Sequence, residues 1–109
     1  MAKKDIITIF MGTELKLNLN IKPVAGFTAD DFDFSVDVYC SPKRTVTKDK
    51  SELIRTDSEN YVILLDTAEV GAGELKAKVT AYIPDYDYED TKRTEVAVYA
   101  TNIVITKTL

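Results

Sequence analysis

The chain has 109 residues, 45% apolar and 29% charged, with 18 acidic against 14 basic side chains, one cysteine and no histidine. That length suits one domain with a real core and no room for a second, and the composition is that of a folded globule rather than a disordered segment. The net charge of −4 argues against nucleic acid, whose phosphates need a basic surface, and the lone cysteine excludes an internal disulfide and a cysteine metal cage.

Residues 1–4 form a short basic tail, expected to fray, and the domain is expected over residues 5–109. Residues 5–10 carry Ile6, Ile7, Ile9 and Phe10, a β-branched run that suits a first strand covered on both faces or lying at a sheet switch. Met11-Gly12 supplies a tight turn or bulge. From 13 to 21 alternation is complete, with Leu15, Leu17, Leu19 and Ile21 on one side and Glu14, Lys16, Asn18 and Asn20 on the other. Each buried leucine contributes about 1.5–3 kcal/mol, so a one-residue slip that turned all four outward is excluded for a small domain.

Residues 22–31 read as a loop through Pro23, Gly26 and Ala-Asp-Asp. Residues 32–40 form a third strand with Asp33, Ser35, Asp37 and Tyr39 outward, and Cys40 continues the inward set as a small core residue. Residues 41–50 make a basic loop in which Thr45-Val46-Thr47 can pair as a short edge strand. A weak strand at 52–56 precedes the turn at 57–60, and 61–65 is continuously apolar, hence a central strand. Residues 66–72 allow one helical turn with Thr67 as cap and Glu69 near its start.

The clearest strand runs from 73 to 85. Leu75, Ala77, Val79, Ala81 and Ile83 alternate without fault against Lys76, Lys78, Thr80 and Tyr82, between an opening glycine and a closing proline. After the acidic hairpin tip at 86–90 comes a last strand at 93–106. Its phase is mixed, because Val96 and Val98 face one way and Ile103 and Ile105 the other, so a bulge is expected near Thr101-Asn102. Roughly seven short strands with turns about every ten residues predict an all-β, immunoglobulin-like antiparallel sandwich with at most one short helical turn, a small barrel being the alternative.

Strand parity then sorts the loops. One end collects Asp30, Asp31, Asp57, Glu59, Asp85, Asp87, Glu89 and Asp90, and the other carries Lys43, Arg44, Lys48 and Lys50 against Asp49, Asp66 and Glu69. Three readings fit this layout. Charged loops keep domains soluble. Clustered acids can hold calcium, with Asp85, Asp87, Glu89 and Asp90 as the weak candidates for a metal that the sequence otherwise gives no reason to expect. Unlike ends can dock, copy to copy or onto a protein partner. Tyr82, Tyr86 and Tyr88 beside the acidic tip either pad the surface or stack on a glycan or protein partner.

No catalytic constellation stands out, so no enzyme activity and no cofactor are expected. Without histidine the commonest neutral-pH base and most zinc sites are missing, and Gly71-Ala-Gly73 precedes a strand rather than the helix a phosphate loop needs. No apolar run approaches the roughly 18 residues of a membrane helix, so no membrane insertion is expected. The N-terminus as given has no signal-peptide pattern, so a cytoplasmic start is expected.

Gly12-Thr-Glu-Leu-Lys-Leu-Asn-Leu, Gly73-Glu-Leu-Lys-Ala-Lys-Val, Pro84-Asp85 and Arg93-Thr94-Glu95, in that order, resemble small immunoglobulin-like modules of tailed-phage virion proteins. Similar modules are the N-terminal domain of siphophage baseplate upper proteins and short prophage proteins of gut Bacteroidetes. The resemblance covers most of the chain and carries over no catalytic residue. It implies a structural role in a tail or baseplate through protein contacts, and a place in the virion or in the host cytoplasm during assembly.

Overall fold

A computed structural model describes residues 5–107, so the short tail expected at 1–4 lies outside the described residues. Eight strands form, in chain order β1 (Ile7–Phe10), β2 (Glu14–Asn20), β3 (Asp33–Tyr39), β4 (Thr45–Asp49), β5 (Ile54–Arg55), β6 (Asn60–Asp66), β7 (Gly73–Pro84) and β8 (Lys92–Thr106). Two single 3-10 turns, Lys50–Glu52 and Thr67–Glu69, are the only helical elements among the described residues. None of the described helices is long and apolar enough to cross a membrane.

The strands make two sheets, β1-β8-β7-β3-β4 and β2-β6-β5, packed as an immunoglobulin-like sandwich. All pairings are antiparallel except β1 with β8, which run parallel from Ile7↔Ile103 to Phe10↔Thr106. The chain changes sheets at Met11-Gly12, so the sheet-switch reading of the first strand holds. Coverage on both faces does not. β1 sits at a sheet edge, and only Ile9 of its residues packs against the core, while Ile7 and Phe10 stay exposed.

Alternation governs the core. Leu75, Ala77, Val79, Ala81 and Ile83 of β7 are buried with Phe34, Val36 and Val38 of β3 and with Leu19, Tyr61, Ile63 and Leu65 of β2 and β6. The stretch 61–65, apolar throughout, still alternates, because Leu64 on the outer face is exposed. Gly73 opens β7 at φ +133°, and a Cβ there would stand 3.2 Å from Cys40 Cβ, so glycine permits both the backbone turn and the close approach. Burial pushes the Cys40 thiol up, as a core-side cysteine should.

The bulge expected near Thr101-Asn102 is present. The β7–β8 register shifts between Glu74 and Lys76, leaving residues 101–103 of β8 opposite Leu75. Thr101 Oγ1 closes it by donating to Leu75 O at 2.7 Å and accepting from Ile103 N at 3.1 Å.

At the β6–β7 turn the helical cap is Asp66, whose carboxylate accepts from Ala68 N, and not Thr67. Thr67 is fully buried. Its hydroxyl accepts from Gly12 N at 2.9 Å and donates to Thr13 O at 2.8 Å, tying the β1–β2 turn to the β6–β7 connection.

Candidate interaction surfaces

Strand directions place the loops at 21–32, 56–59 and 85–91 at one end and those at 11–13, 40–44 and 67–72 at the other. All eight acids expected together do share the first end. They do not converge, because most are engaged by amides, hydroxyls or cations rather than by one another. Asp31 accepts from Thr28 N and Oγ1, and Asp57 accepts from the Glu59 and Asn60 amides, so both are held as turn caps. Asp85 accepts from Asp87 N at 3.0 Å and from Arg93 Nη1 at 3.1 Å, which hold its carboxyl below the ordinary value. Glu59 lies 3.9 Å from Lys22, and Asp90 accepts from Lys92 N at 3.3 Å. Asp87 and Glu89 are exposed. Among the described residues no three acidic side chains gather as ligands for a metal ion.

The basic end needs a correction. Inserting β4 as a full strand carries Lys50 to the acidic end, where its Nζ donates to the carbonyls of Ala29 (2.7 Å), Phe32 (2.9 Å) and Asp30 (3.2 Å). Asp49 goes with it, at the end of β4, and Lys48 lies half-buried along that strand opposite Val36. Lys43 and Arg44 remain at the far end, and Arg44 is occupied there, donating to Ala68 O at 2.6 Å.

Beside Lys50 stands a cluster that local sequence reading missed. Asp30 accepts from Arg55 Nε and Nη2 at 2.8 and 2.7 Å and from Tyr61 Oη at 2.6 Å. The Arg55 guanidinium, then the Tyr61 hydroxyl, hold the Asp30 carboxyl well below the usual carboxylate range. Its partner moves the other way, with the Tyr61 hydroxyl pushed up to about 12 by burial first and by its bond to Asp30 second. A phenol raised in the folded state lends stability that is whole below its unfolded value of 10.0 and is lost as pH rises through about 12. Tyr61→Phe should therefore lose stability less steeply over that window, read as the urea midpoint against pH. An equally steep fall would remove Tyr61 as its source.

The loop tyrosines are as accessible as expected, with Tyr86 89% exposed and Tyr88 also open, while Tyr82 lies on the outer sheet face opposite Asp33 and Thr94.

An open strand edge lies along β8. Residues 92–100 pair with β7 on one side, but on the other β1 covers only 103–106, so among the described residues no strand pairs with the rest of that edge. Residues 94–100 are exposed on both faces, with Val96 at 54% and Val98 at 58%. On the facing sheet β2 is also an edge strand. Between the two edges run two clefts of ≈ 370 Å³ and ≈ 360 Å³ that share Tyr99 and are floored by Ile63, Ala77, Val79 and Ala81. One long side of the sandwich is thus open. The phase of Val96 and Val98 was legible; their exposure was not, because a sequence does not show that the neighbouring strand stops at Ile103.

The chain matches no protein-family model, no curated protein and no solved structure.

Proposed function

We propose that this protein is a non-enzymatic interaction module that works by assembly, and that it serves as a component of a phage or prophage virion tail or baseplate. The observation that carries the assembly reading is the length of β8 whose outer edge no described strand covers, with Val96 and Val98 exposed. Natural sheets blunt such edges with prolines, lysines or covering elements; here the charges gather at the start of the edge, Lys92, Arg93 and Glu95, and residues 96–102 hold no proline, no glycine and no charge. An edge left in that state suits a partner that pairs with it. The resemblance to tailed-phage modules supports the virion setting and a role without chemistry.

Light scattering after gel filtration, at two salt concentrations and with or without calcium, tests the reading. A discrete oligomer of the 12.2 kDa chain is the expected result. A monomer whose melting temperature rises with calcium would replace it with a metal-binding role for the acidic loops.

A further inference from the structure

We infer that the partner is a second copy of this chain, paired antiparallel through β8 about a two-fold axis at Ala97, so that two five-stranded sheets become one. The inference rests on the assembly reading above and specifies its contact.

The free edge sets the register. Among the described residues no strand covers it from Lys92, where β8 begins, to Asn102, whose Nδ2 donates to Asp5 O at 2.8 Å just before β1 takes over, and its midpoint is Ala97. Antiparallel pairing about that midpoint brings Lys92 opposite the partner's Asn102 and occupies every free position. Shifting the centre to Val98 would drive Lys92 and Arg93 onto positions that β1 already covers. A centre at Val96 leaves residues 101–102 unpaired, and one at Glu95 sets two carboxylates face to face, which is destabilising.

Side chains repeat the symmetry. Val96 and Val98 stand symmetrically about Ala97, which lies on the axis itself. On the outer face Val96 meets the partner's Val98 on both sides of the axis, gathering four β-branched side chains, a favourable cross-strand set. On the inner face Ala97 meets the partner's Ala97 and Glu95 meets the partner's Tyr99.

Charge agrees as well. Arg93 and Glu95 already pair within one chain at 3.1 Å, and Lys76 and Lys78 stand one strand back, opposite Ala100 and Val98. No like charges become direct neighbours. A different protein would require none of this self-complementarity; a second copy requires all of it.

The area suffices. Eleven strand residues span about 37 Å, and an open side two sheets deep is about 20 Å across, so roughly 700 Å² per copy and about 1,500 Å² in total is covered, the size of a standard stable interface.

In a Cys40→Ser background, Ala97→Cys places two thiols directly across the axis, where cross-strand Cα separations of about 4.5–5.5 Å lie within disulfide reach. Mild oxidation should link most of the protein at twice the chain mass. Val98→Cys, offset diagonally at about 7–8 Å, should link far less. Ala97→Lys and Ala97→Glu should each sediment as monomers, and an equimolar mixture of the two should return to dimer mass. Since Ala97 is exposed in the single copy, unchanged melting curves at low concentration separate lost pairing from lost folding.

An oligomer indifferent to both charge variants would overturn the β8 pairing while leaving the assembly reading in place. A wild-type monomer at every concentration would overturn both. A wild-type monomer that dimerises once residues 1–4 are removed would assign the edge to the chain's own N-terminal segment, and would overturn the pairing for the intact chain.

Discussion

Lys50→Met is expected to lower stability by about 3 kcal/mol, because one ammonium donates to three backbone carbonyls and hydrogen bonds to charged groups contribute about 1.5–3 kcal/mol. Methionine keeps most of the stem packing, so the loss comes from the acceptors. The carbonyls of Ala29 and Phe32 are partly buried where the β2–β3 loop enters β3, and water replaces the lysine poorly there. For a chain of this size the expected fall in melting temperature is roughly 10 °C. Lys43→Met, on an exposed loop residue, should change stability by less than about 0.5 kcal/mol. Equal melting temperatures for Lys50→Met and wild type would show that Lys50 behaves as an ordinary surface cation.

That lysine marks where sequence reasoning stopped. Strand alternation at 13–21, 32–40 and 73–83 determined which residues enter the core, because a period of two leaves a single register that buries Leu19, Phe34 and Leu75 together. Parity placed the acidic loops correctly. It misplaced Lys50 because Thr45-Val46-Thr47 extends to Asp49 and pairs fully with β3, adding a reversal that a basic, turn-flanked segment does not advertise. Asp30, Arg55 and Tyr61 lie up to 31 residues apart, and no local pattern links them. The exposure of β8 escaped for a related reason. β1 ends its pairing at Ile103, and that boundary is set by where the N-terminal strand lies in space, not by anything in residues 94–100.

Phe34→Ala is expected to be the most damaging single change, costing about 3–5 kcal/mol, since the ring is 1% exposed and its removal opens a cavity that the surrounding sheets cannot close. The ring does more than fill space. It stands edge-on to Tyr61, with centroids 5.2 Å apart at 83°, and edge-on to Phe32 at 6.4 Å, while Lys50 Nζ lies 5.9 Å above it. Such aromatic pairs add about 0.5–1.5 kcal/mol beyond burial, and a cation over the face adds about 0.5–1 kcal/mol. Phe34 therefore sits beneath both polar assemblies at this end, the Lys50 carbonyl cradle and the Asp30–Arg55–Tyr61 cluster. Phe34→Leu keeps much of the volume but loses the ring, and should cost less than half as much. Because Lys50 Nζ stands over the Phe34 ring, the double variant Phe34→Ala with Lys50→Met should be less destabilised than the sum of the two by at least about 0.5 kcal/mol. Strict additivity in urea unfolding would mean that the ring and the ammonium act independently. The 85–91 loop hangs from the Pro84 end of β7 and is braced by Arg93, away from this ring. Loosening at Phe34 should accordingly raise amide exchange in the 21–32 and 56–59 loops well before it reaches Tyr86 or Tyr88.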